Sequence, residues 1–346
     1  MEESLAVRNL IPRRVVEVMD QSFRIYRDNF VTFIGLVAVV IVPLTALSFF
    51  LSESIEEDVI FLEQDAFGNS TFQSNFEGTG LLLLMVRLVT LFIQFVVLNA
   101  VITYIASENY LGRSATIPEA ISAMLRRVLH LTLATIMNVV VFAVTGGILG
   151  VAAVCILPAL LFPMWVYYLF AAFTFLVPTI VLEDVGFIDG TLRGIVLAKT
   201  RFWRVLGFWI GMLGIVYVMQ INFSIISWLI VGSTYSFDEI FFSSNTGANA
   251  LSTALGTVAS VLVTPIMPIA LTLLYYDTRF REEGLDVALL SIESESPSPR
   301  NVYSEKLGGE LFKRRDFLNM FILTIGTIGF CGGIYALIFI LAAVLA

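Results

Sequence analysis

Apolar stretches recur along this chain at lengths that exceed what a soluble core can hide. They run from Phe30 to Phe50, Leu81 to Ile105, Val205 to Val231, Leu251 to Tyr275 and Phe317 to Leu345. A helix needs about 20 apolar residues to cross a bilayer's hydrocarbon core. Between Leu129 and Leu182 lie 54 residues without one Asp, Glu, Lys or Arg. As a single helix that stretch would be about 80 Å long. The pattern therefore predicts two spans joined by a turn near Cys155 to Pro158, and seven spans in all.

Shorter segments with helical periodicity precede the first, third and fifth spans. One places Val15, Met19, Phe23, Tyr26 and Phe30 at helical spacing. The next places Ile117, Ile121, Met124, Val128 and Leu129 on one face, with Thr116 as N-cap and Pro118 in the first turn. The last carries Ile188, Leu192, Ile195, Val196 and Trp203. All follow the i, i+3/i+4, i+7 pattern and hold basic residues beside the membrane, as interfacial helices do. The fold class expected is all-α: a polytopic transmembrane helix bundle built as three parallel repeats of interfacial helix plus two spans, with an extra C-terminal span. A six-span membrane domain over 1–290 is followed by a Ser-, Pro- and Glu-rich linker at 291–312 and a transmembrane helix at 313–346.

Composition agrees. The 346 residues are 58% hydrophobic and 14% charged, against about 25% charged in a soluble domain. No short apolar leader with a cleavage site opens the sequence, so the first span is expected to be a permanent anchor. Charge then orients the spans. Nineteen of the 20 Lys and Arg fall in alternate connections, before residue 30 and in 106–128, 183–204 and 276–316. The other connections carry nine acids and no base; the basic segments hold 19 acids against 19 bases, so those nine acids with Arg87 account for the net charge of −8. Lys and Arg favour the cytoplasmic side. The expected location is a prokaryotic cell membrane, with the N-terminus cytoplasmic and the C-terminus outside.

Little in the chain speaks for catalysis. Its two cysteines, Cys155 and Cys331, sit in apolar stretches, and His130 is the single histidine. No metal-ligand spacing, nucleophile–base pair or phosphate-binding loop occurs. No basic patch with interleaved aromatics suggests nucleic acid. The expectation is no enzyme, no cofactor and no metal. The acidic loop at 51–80 lacks a calcium-loop spacing and reads as solvated.

Two groups of residues are candidates for function. At the end of the sixth span, Tyr275, Tyr276, Asp277, Arg279, Arg281 and Glu283 form a polar run. Its arginines suit a lipid headgroup or an acidic partner. Equally, its tyrosines anchor an interface and its charges form a structural latch with neighbouring surface helices. Within the spans lie Arg87, Gln94, Asn99, Asn138, Gln220 and Asn222. They either line a polar path or bond between helices, with Arg87 snorkelling toward the acidic loop and Glu77. Gly146–Gly150, Gly207–Gly211 and Gly329–Gly333 are spaced for close helix contact.

The stretch TPIMPIALTLLYYDTRFREEGLDVALL, with Pro265, Tyr275, Tyr276, Asp277, Arg279, Arg281, Glu283, Gly284 and Asp286, resembles the closing motif of the glycerophosphoryl diester phosphodiesterase membrane domain family of bacteria and archaea. AKTRFWRVLG and the opening FRIYRDNF are similar to other parts of that pattern, which covers roughly residues 10 to 290. The resemblance implies the membrane domain without the catalytic barrel, because the His-Arg-Gly motif of the enzyme is missing. The expected function is a non-enzymatic membrane scaffold or accessory subunit, with a transporter or channel for a small or lipid-like solute as the alternative. Expected partners are membrane lipids and another membrane protein, or a second copy held through the C-terminal helix.

Overall fold

A computed structural model describes residues 12–56, 62–64, 70–72, 79–113, 115–152, 161–183, 185–236, 246–285 and 314–326. In chain order the helices are α1 (Val15–Asp28), α2 (Phe30–Glu56), α3 (Thr79–Phe92), a π-helical turn (Ile93–Leu98), α4 (Asn99–Tyr110), α5 (Ile117–Leu125), α6 (Val128–Ala152), α7 (Phe162–Thr174), α8 (Leu176–Glu183), α9 (Phe187–Thr200), α10 (Phe202–Thr234), α11 (Thr246–Val263) and α12 (Ile266–Glu283). Residues 314–326 form α13. The expected all-α chain also carries a small antiparallel hairpin, β1 (Leu62–Gln64) on β2 (Ser70–Phe72), in register Leu62 to Phe72.

Six helical stretches among the described residues are long and apolar enough to cross a membrane: Phe30–Ser52, Leu81–Tyr110, Val128–Val151, Phe162–Glu183, Phe202–Thr234 and Thr246–Glu283. The charge-free stretch divides between Ala152 and Phe162. The turn itself, at 155–158, lies outside the described residues, as do Glu77, Gly329, Gly333 and most of the expected seventh span.

The long helices differ in continuity. α2, α6 and α10 run unbroken, α2 through its internal Pro43. The second span holds the π-helical turn, the fourth is interrupted at Phe175 and the sixth at 264–265. Proline explains two of these. Pro178 has no N–H for the carbonyl four residues back, and Pro265 sits in the second gap. Glycine ends two returning helices: Gly112 after α4 and Gly284 after α12 have φ of 80° and 62°, a region that side chains with a Cβ rarely enter.

Contacts divide the chain into two compact units. One comprises Arg14–Met124 and Phe208–Leu273. In it α2 packs on α3 and α11, and α1 on α2 and α4. α1 buries Val18, Ser22 and Ile25, one helical face, and Glu17 Oε2 accepts the Arg14 N–H at 2.9 Å to close the first turn. α5 is capped likewise, with Glu119 Oε2 accepting the Thr116 N–H at 3.0 Å. That bond holds the Glu119 carboxyl below its usual range.

The other unit comprises the chain up to Arg13, Leu125–Gly207 and the chain from Leu274 onward. Here α9 packs on α6, α7 and α8. The expected apolar face of α9 divides. Ile188 and Leu192 are exposed and Ile195 and Val196 buried, together with Gly190, Thr191, Arg193, Gly194, Leu197, Ala198 and Lys199. Small residues and paired charges share the inward side with Ile195 and Val196. A Cβ on Gly194 would lie 3.4 Å from the Phe175 carbonyl carbon, so the helix meets the backbone at the α7–α8 break closely. Thr179 Oγ1 donates to the Gly190 carbonyl at 3.0 Å. Within this unit α13, the described start of the expected seventh span, packs on the bundle through Met320, which joins Tyr167 and Phe202 in one cluster.

Candidate functional site

α12 ends in a run whose spacing divides it into faces. Tyr275, Arg279 and Glu283 succeed one another every four residues, so they line one face. Asp277 and Arg281 line another, and Tyr276 with Phe280 a third.

The first face meets α8 and α9 in a buried ionic ring. Arg193 reaches Glu183 with Nε and Glu283 with Nη2, at 2.9 and 3.1 Å from the two oxygens of the latter. Arg279 Nε donates to Glu283 Oε2 at 2.7 Å. Its Nη1 donates to the Tyr275 hydroxyl at 3.0 Å and lies 3.4 Å from Glu183 Oε1. The Tyr275 hydroxyl donates to Glu183 and closes the ring. Side-chain exposure is 0% for Arg279, 2% for Glu183, 3% for Glu283 and 7% for Arg193. Two carboxylates face two guanidiniums, so the ring is neutral. Charges this deep persist only when paired and hydrogen-bonded.

The second face gathers around Asp277. Its Oδ2 accepts Arg204 Nη2 at 2.7 Å and Arg281 Nε at 3.1 Å, and its Oδ1 accepts the Arg13 backbone N–H at 2.8 Å. Arg204 and Arg281 both donate through Nη2 to the Arg13 carbonyl. Tyr276 is fully buried and packs against Phe280 in a tilted arrangement, with ring centroids 6.0 Å apart. Arg201 pairs with Glu282 nearer the surface.

A third ion pair fixes α13. Lys199 Nζ donates to Asp316 Oδ2 at 2.7 Å, and the Tyr167 hydroxyl donates to Asp316 Oδ1 at 2.9 Å. Both charged side chains are 5% exposed. Trp203 Nε1 donates to Asn319 Oδ1 at 3.0 Å.

The structure thus brings Tyr275, Asp277, Arg279, Arg281 and Glu283 into two networks, with Tyr276 packed between aromatic neighbours. Arg279 is sealed and presents no donor to a headgroup. Their partners Glu183, Arg193, Arg204 and Arg13 are not apparent from sequence periodicity, and neither is the separate Lys199–Asp316 pair. The one signal is that Glu183 ends the charge-free stretch and Arg193 interrupts the next apolar segment.

The intramembrane candidates behave differently. Asn138 is buried, and its Nδ2 donates to the Ala134 carbonyl at 2.9 Å and to Thr191 Oγ1 at 3.4 Å. Asn99 and Asn222 donate to carbonyls one turn back on their own helices, at 3.0 and 2.7 Å. Gln94 lies half-buried in the π-helical turn, Gln220 is half-buried on α10, and Arg87 is exposed on α3. Asn138 belongs to one unit and the other five to the second. Among the described residues no group of three or more His, Cys, Asp or Glu is placed to hold a metal ion.

Helices of this length and hydropathy mark a polytopic, membrane-embedded helical protein. No protein-family model, no curated protein and no solved structure matches the chain.

Proposed function

We propose that this protein is a non-enzymatic membrane scaffold or accessory subunit, with its charge-paired helix ends on the cytoplasmic side of a prokaryotic cell membrane. The observation that supports this reading most is the buried ring of Glu183, Arg193, Tyr275, Arg279 and Glu283. It ties the ends of α8 and α12 to α9 and leaves no charge over for a substrate. With Asp277–Arg204 and Lys199–Asp316 it gives one unit a charge-paired, cross-tied end, suited to presenting a surface rather than to turnover. The excess of Lys and Arg at these ends supports the orientation. Membership of the phosphodiesterase membrane domain family is part of the proposal and rests on the Tyr275–Asp286 run.

A threefold build is proposed with it. Each unbroken outward helix, α2, α6 or α10, is followed by an interrupted returning span, which is what a repeated two-span unit would give. Those interruptions also favour the second reading, transport. Broken helices put free backbone groups at mid-membrane depth, where transporters hold solutes.

Purification of the tagged protein from its native membrane in a gentle detergent, followed by mass spectrometry, tests the proposal. A stoichiometric membrane partner that is lost on deleting residues 291–346 is the expected result. A partner-free protein that moves solute when reconstituted in vesicles would overturn it.

A further inference from the structure

We infer that Arg204 and Arg281 form a binding site for the phosphate of an anionic phospholipid headgroup. The two networks on α12 differ in balance. The ring through Arg279 is neutral and closed to solvent. Around Asp277, two guanidiniums share one carboxylate and one backbone carbonyl, that of Arg13. Among the described residues, Asp277 is thus the one carboxylate shown against these two guanidiniums. These arginines are also accessible: their side chains are 20% and 23% exposed, against 0% for Arg279. Asp277 and the Arg13 carbonyl hold both guanidiniums at one place, so an anion bridging them meets donors already fixed.

The surroundings favour a lipid over a soluble anion. Arg204 lies in the first turn of α10, a 33-residue apolar helix with only 6% of its membrane-crossing window buried. Trp203, beside it, is 43% exposed and donates its Nε1 to Asn319. A half-exposed Trp and an Arg at the start of an exposed apolar helix form an interfacial arrangement. Acyl chains can lie along the helix while the phosphate sits at its basic end. The site rests on the membrane placement and orientation proposed above, and on neither the scaffold nor the transport reading.

Native mass spectrometry of the full-length protein in neutral detergent, titrated with phosphatidylglycerol or phosphatidylcholine, tests the site. The wild-type protein is expected to retain phosphatidylglycerol in preference. An arginine at a membrane surface contributes about 1 kcal/mol of attraction to anionic lipid, so Arg204→Gln or Arg281→Gln raises half-saturation about fivefold and the double variant about 25-fold. Asp277→Asn removes the negative charge that faces the pair, while the Arg13 carbonyl and the remaining side-chain oxygen still accept from the guanidiniums, and is expected to bind at least as tightly as wild type. That result separates the site from a general effect on folding, since this variant breaks the same ion pairs. Arg201→Gln, which removes a neighbouring arginine already paired with Glu282, leaves binding unchanged. Equal retention of phosphatidylcholine overturns the inference. So does loss of binding in Asp277→Asn, or a loss in Arg201→Gln as large as in the other two. Displacement of the lipid by equimolar inorganic phosphate would overturn the assignment to a lipid and leave a small-anion site.

Discussion

Glu183→Gln is the sharpest perturbation of the buried ring. It keeps the shape of the side chain and removes one of two negative charges. Of the two carboxylates in the ring, Arg193 and Arg279 then share Glu283, and both are almost completely buried. Breaking a buried pair from one side costs about 3–5 kcal/mol, because the remaining charge is left without its partner. Arg193→Gln leaves the opposite imbalance and costs a similar amount. The double variant Glu183→Gln/Arg193→Gln is neutral again, with Arg279 and Glu283 still paired at 2.7 Å. Its cost falls below the sum of the single costs by a coupling energy of about 1–3 kcal/mol. Unfolding of the detergent-solubilised protein, followed by intrinsic Trp fluorescence against denaturant, gives all three values. Additivity within about 0.5 kcal/mol would refute the ring as a coupled unit. A cost below about 1 kcal/mol for Glu183→Gln would refute its burial.

Three further outcomes follow from neighbouring features. Asp316→Ala leaves the Lys199 ammonium buried without its carboxylate, and α13 should detach, which limited trypsin cleavage at Arg314 and Arg315 would report as a rate increase of about tenfold or more. Gly190→Ala puts a Cβ 2.5 Å from Ile180 Cγ1, and thermal unfolding should show a loss of about 1–3 kcal/mol, with Gly186→Ala, which meets nothing closer than 3.8 Å, as the mild comparison. Glu119 is held below its usual carboxylate range by the Thr116 N–H, so its contribution to α5 is present above the unfolded value of about 4.5 and lost as pH falls through the lower folded value. Hydrogen exchange across α5 should accelerate in that acidic window in the wild type, and Glu119→Gln should abolish that pH dependence.

Much of the helical layout was legible because hydropathy and length act locally. The charge-free stretch had to break, and α6 and α7 leave the gap between Ala152 and Phe162. The Tyr275–Glu283 run stood out because polar side chains gather there at the end of an apolar helix. Their partners did not stand out. Glu183 precedes Glu283 by 100 positions, and only folding reveals that one arginine bridges them. α9 shows what periodicity leaves out. Of its expected apolar face, Ile195 and Val196 are buried but Ile188 and Leu192 are exposed. The helix also turns Gly190, Gly194, Arg193 and Lys199 inward, where close approach and ion pairing count and hydropathy gives no signal. The intramembrane amides suggested a shared path by residue type alone. Asn99 and Asn222 satisfy their side-chain donors within their own helices, an option that any asparagine in a helix has and that leaves no trace in sequence.

The ring also bears on how the chain enters its membrane. Glu183 and Arg193 lie ten residues apart across one short connection, and Arg279 and Glu283 four apart on one helix. Each half is neutral by itself. Arg193 and Glu283 are 90 residues apart, so at about 5–20 residues per second the first half is made roughly 5–18 s before the second. During that wait Glu183 has Arg193 beside it instead of standing as a bare charge, and the second half arrives with its own charges already matched. The two halves can therefore be made in turn, with α12 as the bolt that closes the ring.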